Sequence, residues 1–443
     1  MIRLARVRRS SLSLAALAAV ALLALGVGAA SEGAASRALL ALTVILITAK
    51  LGGDFAIRLR QPPVLGELVA GVMVGNLPLL GVHGLGWLGD DAFLEVLAEV
   101  GVVLMLFEVG LESTLGQMAR VGKTALGVAT IGVVAPMLLG LGVGAWLLPN
   151  EPFFVHLFLG AILTATSVGI TARVLQDLGA SRSPEARVIL GAAVIDDVLG
   201  LVVLAAVSGV IASVDAGEAP GFGPVAWIAA KALLFLGGAA LLGVFVMPRA
   251  LRRAARLRGT GVMLGLTLAF CFALSWGAGA VGLAPIVGAF AAGLVLEDAH
   301  YEPFREREPR QLEELVHPIV QFLAPVFFVL MGFHVDLRAL ADPAVLGLAA
   351  ALTVAGVVGK QACMLAVRDP AIRRLPVGVG MIPRGEVGLI FASVGARLSF
   401  QGQPVVSTAS FSAVVVVVIV TTLVTPPLLT WSFRRGAATT VEG

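Results

Sequence analysis

The chain is a succession of apolar stretches, each about as long as the roughly twenty residues an α-helix needs to cross the hydrocarbon core of a bilayer. They run from Ala38 to Ile57, Pro62 to Val82, Ala92 to Leu115, Thr124 to Leu148, Phe153 to Leu175 and Ser183 to Val207. The series continues from Gly223 to Met247, Gly259 to Ala278, Val281 to Leu296, Val316 to Val335, Ala344 to Ala366, Leu375 to Ala396 and Val405 to Trp431. In hydrocarbon every backbone N–H and C=O needs an internal partner, and helices supply one within each segment. Composition agrees, with 58% of the 443 residues hydrophobic and only 13% charged, against roughly 25% charged in a soluble domain. The expected fold is therefore an all-α polytopic membrane protein of about thirteen transmembrane helices. A formal charge of +3 is ordinary for such a chain, and no nucleic acid is called for. The cysteines, Cys271 and Cys363, both fall in apolar segments, so neither a disulfide framework nor a cysteine metal cluster is expected.

Loop charges set the orientation, because cytoplasmic loops collect lysine and arginine. Arg58 and Arg60, Arg120 and Lys123, Arg182 and Arg187, the run from Arg249 to Arg258, Arg305 to Arg310, Arg368 to Arg374, and Arg434 with Arg435 occupy every second loop. The loops between carry Asp90, Asp91, Glu151, Asp215 and Glu218 instead, with Arg338 and Arg397 as the main exceptions. This places the C-terminus in the cytoplasm. Residues 1–30, a basic start followed by an apolar run, have the layout of a signal peptide or of an extra N-terminal helix.

The most informative segment is SPEARVILGAAVIDDVLGLVVLAAV, which carries Asp196 and Asp197 at mid-depth. An acid there is costly and marks function by default. Successive helical residues differ by about 100° in direction, so one of the two can face a cavity while the other faces a neighbouring helix. The segment from Phe153 is interrupted by LTATSVGIT, with Thr164, Thr166 and Ser167, and the segment from Leu375 by MIPRGEVGLI, with Arg384 and Glu386. Two broken helices in corresponding places of two halves point to a transporter's binding site. Lys360, just to the cytoplasmic side of the centre, leans toward the aspartates because helical side chains tilt toward the N-terminus.

Blander readings attach to the other polar residues. Lys50 and Asp54, one helical turn apart, read as a structural ion pair. Glu67, Glu108 and Glu112, toward cytoplasmic helix ends, fit a structural pair or a cation funnel equally. The hydroxyls of the break could serve helix packing alone. His83, His300 and His334 read as surface residues, and His317 as a pH-sensing candidate.

The runs ILTATSVGITARVLQDLG and VILGAAVIDDVLGL, with QPPVLGELVAGVMVGN, LMLFEVGLE and MIPRGEVGLIFASVG, resemble the monovalent cation:proton antiporter family 2, the bacterial sodium/proton antiporters of the NapA and GerN type. The resemblance implies an inverted-repeat fold with two discontinuous crossing helices, usually in a homodimer in the bacterial inner membrane. It implies a dimerisation part at about 38–115 and 259–337, a core part at about 124–211 and 343–431 and a linker helix at about 223–247, all within an exchanger domain at 38–435. Asp197 would then be the cation- and proton-binding aspartate, Asp196 its neighbour and Lys360 the lysine paired with it. Thr164 and its neighbours would lie by the ion, and Arg384 and Glu386 would belong to the second crossing helix. Related potassium efflux systems carry a C-terminal nucleotide-binding domain, and no such regulatory domain is expected here.

The expected activity is secondary antiport of sodium or lithium against protons without any cofactor. The cation would take oxygen from Asp196, Asp197, hydroxyls, freed carbonyls and water, and proton and metal ion would exclude each other in a coupled titration. The resemblance implies electrogenic exchange, with more protons than cations per cycle. Potassium or unselective monovalent exchange is the alternative, because size preference depends on cavity geometry. An intramembrane aspartyl protease is a remote third reading. Adjacent aspartates on one helix suit it badly, and its other candidate motif, GLGWLGDD, falls in a loop.

Overall fold

The computed structural model describes residues 34–59, 61–82, 84–89, 91–112, 122–180, 183–217, 222–257, 259, 261–296 and 311–438. The leader-like residues 1–30, His83, His300 and several loop arginines lie outside them. In chain order the helices are α1 (Ala34–Arg58), α2 (Pro63–Gly75), α3 (Ala92–Glu112), α4 (Lys123–Leu147), α5 (Phe153–Ile162), α6 (Val168–Asp177), α7 (Pro184–Asp215) and α8 (Phe222–Phe245). They continue as α9 (Met247–Ala254), α10 (Val262–Ala280), α11 (Pro285–Leu294), α12 (Leu312–Phe333), α13 (Pro343–Gln361), α14 (Arg374–Gly380), α15 (Glu386–Arg397) and α16 (Thr408–Ala438). Between α15 and α16 lies a short antiparallel hairpin, β1 (Ser399–Phe400) and β2 (Gln403–Pro404), in which Ser399 pairs with Pro404. Its two turn residues, Gln401 and Gly402, both have positive φ, the conformation a tight hairpin turn requires.

Among the described residues eight helices are long and apolar enough to cross a membrane: α1, α4, α7, α8 running into α9, α10, α12, α13 and α16. The remaining apolar segments form α2, α3 and α11 and two broken helices, α5/α6 and α14/α15. Local chemistry fixes the starts. Ser183 accepts a hydrogen bond from the Ala186 amide at 3.1 Å and Asp342 one from Ala344 at 2.8 Å, each followed by a proline in the first helical position, where the missing N–H costs nothing. The aspartate-bearing helix runs on to Asp215, eight residues past the expected end at Val207. Nothing in SGVIASVD breaks a helix, and the left-handed Gly217 ends it.

The described chain packs as two compact units. The first combines α1, α2, the part of α3 up to Val102 and Ile319–Arg338. Here a Cβ on Gly52 would strike the carbonyl of Gly66 and one on Gly71 the carbonyl of Val329, so the backbones touch directly, as small residues allow in membrane bundles. Asn76 ties this unit by donating to the carbonyls of Val72 (2.9 Å) and Val335 (2.7 Å) and accepting from Leu337 (3.1 Å). The expected Lys50–Asp54 pair does not form. The Asp54 carboxylate is taken by the guanidinium of Arg58, at 2.8 Å from Nε and 2.7 Å from Nη2, because a planar fork one turn on suits a carboxylate better than a single ammonium. Lys50 instead reaches the carbonyl of Gln321 at 3.5 Å.

The second unit comprises Val103–Pro318 and Ala339 onward and holds both broken helices. In it α4 packs on α5, α7 and α13. A Cβ on Gly359 would come within 2.7 Å of Pro136 Cα, so α13 lies backbone to backbone on α4 one residue before Lys360. Ala125, Val128 and Ala129 of α4, Ile189 and Ala192 of α7, Cys363, and Val377 and Met381 of the second broken helix make one buried apolar cluster. These units are defined by packing, whereas the dimerisation and core parts implied by the resemblance are defined by movement.

Candidate functional site

Each break frees backbone groups, and the other half of the unit takes them up. After α5 the helical pattern stops at Leu163 and resumes at Val168. The Thr164 hydroxyl turns back to the carbonyl of Ala161 at 2.7 Å. The carbonyl of Thr164 accepts from Lys360 Nζ at 2.8 Å, that of Ala165 from Arg384 Nη1 at 2.6 Å, and the Ser167 amide donates to the carbonyl of Pro383 at 2.8 Å. After α14 the accounting is similar. Gly380 accepts from the Thr171 hydroxyl at 2.7 Å, the Arg384 amide donates to Thr421 Oγ1 at 3.2 Å, and the Arg384 carbonyl accepts from Thr422 Oγ1 at 2.8 Å. The two interruptions thus hydrogen-bond to each other and to α16, the condition under which unwound backbone survives at membrane depth.

The charges converge on the same place. Asp196 and Lys360 are 1% and 0% exposed, and Lys360 Nζ lies 3.0 Å from Asp196 Oδ1 and 3.2 Å from Oδ2. The ammonium's hydrogen-bond capacity is therefore met by one carboxylate and the Thr164 carbonyl. Asp197 is also buried. Arg384, 1% exposed, has no carboxylate within ion-pairing distance among the described residues and spends its charge on the carbonyls of Ala165 and, at 3.2 Å, Gly356. Two buried polar atoms of this neighbourhood, Thr166 Oγ1 and Arg384 Nε, have no hydrogen-bond partner among the described residues. A buried hydroxyl left unpaired costs about 1–3 kcal/mol.

Of the sequence-derived candidates, Lys360 joins Asp196 to the Thr164 carbonyl, Arg384 holds the next carbonyl, that of Ala165, and Asp197, Thr166 and Ser167 are buried at adjoining positions of the same segments. Glu386 opens α15, but its side chain, like that of Glu112, lies outside the described residues. Glu67 is buried on α2 in the first unit. Glu108 of α3 makes a 2.6 Å contact with His317 Nδ1 of α12, so the acid and the histidine noted separately in sequence are partners. Sequence reasoning missed Thr421 and Thr422, although an adjacent hydroxyl pair inside the run VVVVVIVTTLVTPP was a visible signal. It also missed the ion pair of Glu185 with Arg373 at 2.7 Å, which holds the start of α7 to the loop before α14.

Long apolar helices with two mutually bonded broken helices and a buried Asp–Lys pair beside them are the arrangement expected of a secondary transporter. Comparison with known proteins gives the family. Residues 42–431 match the family model described as sodium/hydrogen exchanger, transmembrane, and the chain belongs to that family. It is 38% identical over 394 residues to the high-affinity Na(+)/H(+) antiporter NhaS3 of Synechocystis sp., covering 81% of this chain and 82% of that one. It is 32% identical over 397 residues to the Na(+)/H(+)-K(+) antiporter GerN of Bacillus cereus, covering 88% and 95%. The fold matches that of the sodium proton antiporter MjNhaP1 from Methanocaldococcus jannaschii with a TM-score of 0.66 at 18% identity, over 89% of this chain and 97% of that one.

Proposed function

We propose that this sodium/proton antiporter exchanges sodium or lithium for protons at a single site formed by Asp196 and Asp197, with Thr164, Thr166 and Ser167 beside it. The observation that carries the reading is the position of the Lys360 ammonium, which bridges the Asp196 carboxylate and the freed Thr164 carbonyl. That ammonium is a tethered monovalent cation seated on the oxygens a hard cargo ion would use. Entry of the cargo draws Asp196 and Thr164 away from Lys360, which gives up a proton, while Asp197 gives up another as it becomes a ligand. Two protons against one cation make the cycle electrogenic. The unpaired Thr166 hydroxyl supplies a further neutral oxygen.

Alternating access then follows from movement of the core part, about 124–211 and 343–431, against the dimerisation part, about 38–115 and 259–337, through the linker helix at about 223–247 and within a homodimer. The alternation of basic loops supports a C-terminus in the cytoplasm of a bacterial inner membrane. A second reading, exchange of potassium as well, is favoured by the likeness to GerN, whose name includes K(+). The test is proton release from proteoliposomes on addition of Li+, Na+ or K+, together with solid-supported membrane currents. Asp197→Asn should abolish both signals, and exchange undiminished in that variant would overturn the shared-carboxylate site.

A further inference from the structure

We propose that Arg384 is a specificity-determining residue for the cargo ion: by holding the Ala165 carbonyl it withholds from the ion a main-chain oxygen next to the one Lys360 occupies, that of Thr164. The inference rests on the Asp196–Asp197 exchange reading. Two consecutive carbonyls, Thr164 and Ala165, are freed at the break, and each is capped by a cationic side chain from the second half of the unit. The two caps differ in kind. Lys360 is a point charge on a flexible stem that can let go of its proton and its carbonyl, whereas a guanidinium keeps its proton inside proteins.

Arg384 is also held in place at both ends. Its guanidinium donates to Gly356 on α13, one helical turn before Lys360, and its own amide and carbonyl are fixed by Thr421 and Thr422. An ion that sought the Ala165 carbonyl as well would have to share that oxygen with a buried positive charge, and like charges at such separations repel strongly. The Thr164 carbonyl has no such occupant once Lys360 withdraws. Ion preference depends on the number and strength of the oxygen dipoles offered. A site denied the Ala165 carbonyl has one oxygen fewer to offer and suits a smaller monovalent ion. Release of the second carbonyl enlarges the shell in favour of a bigger one.

The test measures apparent KM for Li+, Na+, K+ and Rb+ at one pH in proteoliposomes of the full-length protein. Arg384→Met removes the cap, and Arg384→Lys keeps a charge that can still hold one carbonyl. Gly356→Val changes no charge and no carbonyl but sets two methyls beyond a Cβ that is already in van der Waals contact with the guanidinium, 3.5 Å from Arg384 Nη2. The expected result is a shift of the K+ to Na+ KM ratio toward the larger ion by about tenfold in Arg384→Met and Gly356→Val, the equivalent of about one hydrogen bond. Arg384→Lys should stay close to the wild-type ratio. Either shifted variant decides the matter if the other fails to insert. Proportional changes in KM for all four ions, with the ratio unmoved in the variants that still exchange, would overturn the role of Arg384. Asp197→Asn in the same vesicles separates the two ideas, since exchange persisting there would count against the aspartate site itself.

Discussion

At the scale of single residues, the burial of Lys360 decides most of the chemistry. An ammonium at 0% exposure persists at membrane depth only because Asp196 and the Thr164 carbonyl together replace its water. Lys360→Met should leave the Asp196 carboxylate buried without its counter-charge and lower stability by about 3–5 kcal/mol, the usual effect of breaking such a pair from one side. The double variant Asp196→Asn/Lys360→Met should recover much of the loss. Thermal unfolding of the detergent-purified proteins tests both, and equal melting temperatures for wild type and Lys360→Met would contradict the account. Lys360→Ala should retain some exchange with an altered pH profile and less charge moved per cation, read from currents against dye-reported proton flux.

At the scale of elements, the breaks after Ile162 and Gly380 are stable because each supplies what the other lacks. Ser167 donates to Pro383, Arg384 to Ala165, and Thr171 to Gly380. α16 contributes the two hydroxyls that seal the second break. Thr421→Val/Thr422→Val keeps the volume and removes both partners. Each buried hydrogen bond lost in this way costs about 1–3 kcal/mol, so the variant should melt several degrees lower and exchange more slowly. A thermal melt indistinguishable from wild type would mean that α16 is not the support described. These contacts were only partly legible in the sequence. LTATSVGIT and MIPRGEVG mark where helices fail, because clustered hydroxyls, glycine and proline interrupt an apolar run, but nothing in either stretch names the other as its partner.

At the scale of the whole molecule, the alternation of basic and non-basic loops makes a topological prediction that needs no site chemistry. In a background with the two buried cysteines replaced by serine, single cysteines at Glu151 and Arg435, both exposed positions, should be labelled by an impermeant thiol reagent from opposite sides of the membrane. Labelling of both from one side would refute the charge count. The same preparations, cross-linked in membranes, test the homodimer.

The sequence by itself determined the class of molecule, the approximate ends of many of its apolar helices, and that Asp196, Asp197 and Lys360 lie well inside long apolar segments. Hydropathy and charge are local properties that lipid and water read residue by residue. Only the tertiary structure decided the partners: Asp54 with Arg58 rather than Lys50, Glu108 with His317, Lys360 on the Thr164 carbonyl and Arg384 on that of Ala165. A hydrogen bond to a main-chain oxygen leaves no mark on the residue that supplies the oxygen, since every residue carries the same carbonyl. Which carbonyls are freed, and which side chains reach them across some two hundred positions of chain, follows from how the helices pack.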